Sequence, residues 1–231
     1  MPLNRIITSE VNGNFEYIKY AKVFLSSLAA NAPEEKVRLS VSGWSEKDIK
    51  DAKGRNPQAE IDPIEVNKRI NTDGQYTRVE NYIRIVHIQG TVVRLALEDG
   101  YDRVAHFDID TLIRKNLDGL WEGVTPDSLK ILKRNDQFPK WRFQNGVYVI
   151  GNSENSLKMI RKFERKIINS LEWYEDQRLL WKVFSKSGMK HIQLSEKYND
   201  HHFNKDSYIY HAKGHCRQIE KWKTEYKKYA K

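Results

Sequence analysis

Cys216 is the only thiol in the 231-residue chain. An intramolecular disulfide is excluded, and a reducing, cytoplasmic compartment is expected. No run of about eighteen apolar residues occurs, so no segment is suited to cross a bilayer as a helix. The opening stretch MPLNRIITSE passes directly into a strand-like pattern, without the apolar core of a secretory leader. Low-complexity linkers and internal repeats are absent as well. One domain is therefore expected rather than several.

What the chain does carry is charge and a sufficient core. Residues are 39% hydrophobic and 31% charged, and 40 basic against 31 acidic side chains leave a formal charge of +9. That length and apolar content support a sizeable α/β core. The excess charge selects anionic partners, of which nucleic acid, phosphorylated small molecules and anionic membranes all remain open.

Arg5 to Val11 reads as a first strand, and the following NFEYIKYAKVFLSSLAA repeats apolar residues at helical steps. KVRLSVSGW is a second strand. Ser45 with Asp48 three residues later resembles a capping box that opens a short helix. AEIDPIEVN is a third strand, placed at an edge by Pro63. YTRVENYIRIVHIQGTVVRLALEDG reads as mostly helical, with Gly90 as a break or close-packing point. Beyond the segment YDRVAHFDID, SLKILKR and NGVYVIGN are strand candidates, SENSLKMIRKFERKIINS and YEDQRLLWKVFSKSG are helices, and HIQLSEKYN is a late strand. Strands alternating with helices predict an α/β domain with a mainly parallel sheet, flanked by helices on both faces. Ligands of such sheets sit beyond the carboxyl ends of the strands.

Asp108 and Asp110 lie at one such end, one residue apart. Side chains alternate along a strand, so His106, Asp108 and Asp110 share one face and Phe107 and Ile109 the other, with Cα atoms two positions apart roughly 6–7 Å from each other. Carboxylates so close repel unless a cation intervenes, and oxygen ligands suit Mg²⁺ or Mn²⁺. A solvated strand end that begins a turn explains the same pattern equally well.

The surroundings of the pair resemble the glycosyltransferases of the GT-A fold, a Rossmann-like single domain. The resemblance is to the retaining branch, family eight, that includes glycogenin and the bacterial lipopolysaccharide galactosyl- and glucosyltransferases. DIDTLIRKNLDGLW resembles that family's D-x-D segment, and VVRLALEDGYDRV the helix before it. FQNGVYVIG, YEDQRLL and HAKGH resemble its sugar-pocket strand, its D-Q segment and its H-x-x-G. The patches fall in the family's order and cover residues from about 77 to 217. Gln144 stands where the family has asparagine, with Asn145 beside it. Arg217 stands where it has lysine, and its Pro-Trp is absent.

The resemblance implies a metal, Mn²⁺ or Mg²⁺, held by Asp108, Asp110 and His211. It implies donor contacts from Thr8, Ser9, Arg94, Asn145, Lys213 and Arg217, and catalytic roles for Asp176 and Gln177 beside the anomeric carbon. The activity implied is transfer of a hexose from a nucleoside diphosphate sugar, UDP-linked by preference, to a glycan, glycolipid or protein hydroxyl, with retention. Two other readings compete. A basic nucleic-acid-binding protein accounts for the charge but not for the D-x-D and its companions, and a catalytically idle binding module accounts for the fold alone. Zinc at the cluster of His201, His202, His211, His215 and Cys216 is disfavoured by its spacings, which match no standard motif. The GT-A domain is placed at 1–217 and a basic aromatic tail at 218–231. Ile219, Trp222, Tyr226 and Tyr229 recur there at helical steps among lysines. That pattern suits peripheral contact with an anionic membrane, and equally an aromatic edge packed on the domain.

Overall fold

The structure, a computed structural model, describes residues 3–12, 15–64, 88–134, 142–168 and 175–230. Strand β1 (Arg5–Asn12) precedes helix α1 (Phe15–Asn31), β2 (Val37–Ser42), α2 (Glu46–Arg55) and β3 (Glu60–Pro63). Helix α3 (Gln89–Glu98), β4 (Arg103–Phe107), β5 (Thr111–Ile113) and the single-turn α4 (Asp118–Trp121) follow. Then come β6 (Ser128–Lys133), β7 (Phe143–Gly151), α5 (Glu154–Ile167) and α6 (Glu175–Phe184). Strands β8 (Lys190–Gln193) and β9 (Ile209–His211) and helix α7 (Glu220–Tyr229) complete the order.

Among the described residues, seven strands form one sheet in the order β3-β2-β1-β4-β7-β6-β8. Only β7 runs against its neighbours, being antiparallel to both β4 and β6. Alternation along the strands sends Ile7, Ala105, Phe107 and Val149 into a core with Phe24, Leu25 and Leu28 of α1. It sends Ile6, Val104 and Ile150 into a second core with Val93 of α3, Phe163 of α5 and Leu180 of α6. The central strands are apolar on both faces because both faces are covered, as a parallel sheet requires. Each large side chain buried this way stabilises the fold by roughly 1.5–3 kcal/mol before chain entropy is counted.

Several local expectations hold. Ser45 and Asp48 form the capping box at the start of α2, each side chain bonded to the other's backbone. β3, with Pro63, is the sheet edge. Gly90 lies inside α3 as a close-packing point rather than a break, since a Cβ there would stand 3.0 Å from the Cα of Glu164 on α5. The part of the expected long helix before residue 88 lies outside the described residues.

One expectation is corrected, and one pair of alternatives is decided. β4 ends at Phe107, so Asp108 and Asp110 do not share a strand face. They occupy a tight turn, closed by the Thr111 amide donating to the Asp108 carbonyl at 3.2 Å. The turn delivers the chain into β5, which pairs with β9 in a separate two-stranded sheet that the sequence did not reveal. In the tail, the aromatic edge packs on the domain, the second of the two arrangements its pattern suits. Trp222 is buried in a third core with Leu112, Phe203 and Tyr210, and Tyr226 packs edge-on against Tyr20 of α1 at 5.8 Å. Aromatic area is worth more against the domain than against water, so the aromatic face turns inward and the exposed lysines remain outside. Among the described residues no helix is long and apolar enough to cross a membrane.

Candidate active site

Three chain segments converge at the carboxyl end of β4. The Asp108 amide donates to the Gly146 carbonyl at 2.8 Å, which extends the β4–β7 ladder into the turn. The β5–β9 register sets His211 opposite Thr111, and the Ala212 amide donates to the Asp110 carbonyl at 3.0 Å. Backbone pairing alone therefore brings His211 to the D-x-D turn across about a hundred residues of sequence. Its Nε2 lies 3.2 Å from Asp108 Oδ2 and 3.3 Å from Asp110 Oδ1.

β7 contributes through an irregularity. Ile131 pairs with Tyr148 and Leu132 with Gln144, so residues 145–147 of β7 have no partner on β6. The bulge frees Asn145 and Gly146 from β6 at the point where Gly146 meets the turn, and bulges are common beside binding sites. Asn145 donates to Asp176 Oδ2 at 2.7 Å and to Gln89 Oε1 at 3.3 Å. Gly146 has to be glycine, because a Cβ there would stand 2.0 Å from His211 Cε1 and 3.0 Å from Asp108 Oδ2.

The charges at the site are strongly coupled. Burial works to raise the Asp108 carboxyl, yet His106 and His211 beside it hold it well below the usual range. Asp110 is likewise raised by burial but pulled down by His211 and Arg217. Burial lowers His211, and the two aspartates overcome it and push the imidazole up to about 9. Asp176 is raised by burial against the opposing pull of Lys213 and Asn145. Oriented so that donors face acceptors, the Gln177 amide donates to the Phe143 carbonyl at 3.0 Å and accepts from Lys213 Nζ. Asn145, Asp176, Gln177 and Lys213 are thus linked in one polar group adjoining the turn.

The remaining candidates lie elsewhere or are otherwise engaged. Arg94 is not brought to the cluster: its guanidinium binds Glu164 of α5 at 2.7 Å and Glu98 one helical turn along α3. The Thr8 hydroxyl donates to the Ala105 carbonyl inside the sheet at 3.1 Å, and Ser9 is fully buried in β1. Arg217 faces inward, donating to Asp110 Oδ2 at 2.6 Å and to the Ala212 carbonyl, with its guanidinium against the Tyr17 and Tyr20 rings. Its basicity is raised by Asp110 in spite of burial.

The histidine–cysteine cluster is not assembled as a metal site. His201 packs against His211 with the rings tilted and their centroids 4.6 Å apart, and uses Nδ1 on the His211 carbonyl. Two groups among the described residues could hold an ion, Asp108 with Asp110 and His211, and Glu34 with Glu35 and Asp118. The second is engaged by Arg5, 2.9 Å from Glu35 and 3.3 Å from Asp118.

The first group fits a divalent cation. One atom from each residue lies within 4.8 Å of the other two. His211 Nε2 is buried without a hydrogen-bond partner of suitable geometry. Two carboxylate oxygens and an imidazole nitrogen suit Mn²⁺ and its first-row neighbours.

Sequence reading did not single out Gln89, Asn199, Glu10 or Tyr148. Glu10 was findable, as a carboxylate inside the apolar strand β1. It projects with His106 and Tyr148 from three adjacent strands, 3.5 Å from His106 Nδ1, and burial raises it well above the usual carboxylate range. Asn199 left no local signal, because its partner is twelve residues away.

The sequence matches no protein-family model and no curated protein. Solved structures do match in fold. The galactosyltransferase LgtC, solved in complex with donor and acceptor sugar analogs, superposes with a TM-score of 0.67 at 16% identity, over 97% of this chain and 94% of that one. The glycosyltransferase GlyE of Streptococcus pneumoniae TIGR4 gives 0.63 at 16% identity, over 99% and 60%. Mouse xyloside xylosyltransferase 1 gives 0.58 at 14%, over 94% and 99%. The chain has the GT-A fold of these glycosyltransferases.

Proposed function

We propose that this chain is a metal-dependent glycosyltransferase that moves a hexose from a nucleoside diphosphate sugar, UDP-linked, to an acceptor hydroxyl with retention. One observation carries the reading: Asp108 Oδ2, Asp110 Oδ1 and His211 Nε2 converge at the carboxyl end of the sheet, with Asp110 and His211 buried and Asp108 partly open to solvent. Ligands of α/β sheets bind at that end.

Asp108, Asp110 and His211 would hold Mn²⁺, or Mg²⁺ less well. The ion, when bound, supplies Lewis-acid neutralisation of the departing diphosphate. Lys213 adds fixed positive charge beside Asp176 and Gln177. Asp176, oriented by Asn145, and Gln177, oriented by Lys213 and the Phe143 carbonyl, face the reacting sugar and stabilise positive character there. The acceptor is a hydroxyl of a glycan, glycolipid or protein. Contact with an anionic membrane would rest on the charge of exposed Lys221, Lys227 and Lys228 alone.

A nucleic-acid-binding reading fares worse, since inward carboxylates repel a phosphate backbone and nothing in that function requires them. The test is release of UDP from a panel of UDP-sugars with Mn²⁺, with and without acceptor sugars. Asp110→Asn should fold normally and lose most of the turnover. An absence of release from every nucleotide sugar tried, whichever divalent ion is supplied, would overturn the proposal and favour an idle binding module.

A further inference from the structure

Each member of the Asp108, Asp110 and His211 group has two atoms capable of holding a cation, and in each the second atom faces another residue. His211 Nδ1 is 2.7 Å from Asn199 Oδ1, and Asn199 in turn donates its Nδ2 to the Gln144 carbonyl at 3.0 Å. That second bond fixes the amide, so its oxygen must accept and His211 Nδ1 must carry the hydrogen. In the neutral imidazole Nε2 then holds the lone pair, and it is the nitrogen that faces the aspartates. Asp110 Oδ2 receives two hydrogen bonds from Arg217, at 2.6 and 3.2 Å, which leaves Oδ1 toward His211. Asp108 Oδ1 lies 3.6 Å from His106 Nε2, which leaves Oδ2 toward His211.

Resting on the metal-binding reading above, we infer that Asn199 is a positioning residue for the metal: it selects the His211 tautomer and holds the ring on its axis. Arg217 does the same for Asp110, so Arg217 acts through a ligand rather than on the diphosphate. Asn199 is 2% exposed and its carboxamide is committed to these two bonds. The arrangement presents one atom per residue. It disfavours Ca²⁺, whose larger shell takes bidentate carboxylates, relative to Mn²⁺. Hydrogen-bonded partners of ligating histidines act in this way generally, and their loss lowers metal affinity about 10- to 100-fold.

The experiment is Mn²⁺ binding to the intact protein by titration calorimetry, with no nucleotide sugar present. Asn199→Leu should weaken Mn²⁺ about 10- to 100-fold. Asn199→Asp keeps an acceptor for His211 Nδ1–H, though not the donor to the Gln144 carbonyl, and should bind Mn²⁺ more tightly than the leucine variant. Thermal melts without metal identify a variant that has merely unfolded, and the near-isosteric aspartate variant keeps the comparison usable if the leucine variant does. Equal Mn²⁺ affinity in parent and Asn199→Leu overturns the inference, as does an aspartate variant that folds but binds as weakly as the leucine one. A parent that binds no Mn²⁺ defeats the metal-binding reading itself, a distinguishable outcome.

Discussion

Substituting Gly146 by alanine adds one methyl group at the point where β7, His211 and Asp108 meet. Its backbone needs no special conformation, so the cost is steric alone. The new Cβ would stand 2.0 Å from His211 Cε1 and 2.4 Å from Nδ1, where ordinary contacts are at least about 3.4 Å. Relief requires the ring to retreat by more than an ångström, and the 2.7 Å bond to Asn199 does not survive such a shift. Overpacking of this kind costs about 1–3 kcal/mol, and losing the hydrogen bond about 0.5–1.5 kcal/mol. For a chain of this length each kcal/mol lowers the melting temperature by about 2–4 °C, so a drop of roughly 3–18 °C is expected. Mn²⁺ affinity should fall more than tenfold, because His211 Nε2 no longer meets the aspartate oxygens. The double variant Gly146→Ala with His211→Ala removes the clash and should melt above the single Gly146→Ala, a non-additivity confined to residues in contact. Calorimetric melts and Mn²⁺ titrations on the four proteins of the cycle check this. Parent-like stability and Mn²⁺ binding in Gly146→Ala would refute the geometry.

Two further outcomes are expected. His211 is pushed up to about 9 by the aspartates, and only its neutral form can ligate, so Mn²⁺ binding displaces a proton. Apparent affinity should climb with pH up to about 9, approaching tenfold per unit below that value, and a flat profile between pH 6 and 9 would count against His211 as a ligand. Arg94→Ala should lower stability by about 1–3 kcal/mol, since Glu164, mostly buried, loses its guanidinium partner and keeps only the Thr91 hydroxyl. It should leave the KM for the nucleotide sugar within about twofold, well short of the tenfold that one direct contact is worth; a tenfold rise in KM at unchanged stability would return Arg94 to the donor site.

Local chemistry fixed what was legible in the chain itself. Period-2 and period-3.6 patterns placed the α/β elements, because burial on both sheet faces leaves a mark on every strand and helix. The capping box at Ser45 and the edge position of β3 follow from hydrogen-bonding and φ constraints that act within a few residues. The D-x-D stood out because a carboxylate pair is costly next to a buried strand. Tertiary structure decided the rest, through contacts between residues far apart in sequence. The β5–β9 pairing that carries His211 to Asp110 involves strands of three residues, too short for periodicity to register. The inward turn of Trp222 depends on an apolar surface that exists only once α1 and β9 have packed. Arg94 and Arg217 looked alike as basic residues near an anionic site. Glu164 claims the first and Asp110 the second, because a guanidinium goes to whichever carboxylate the fold brings within reach.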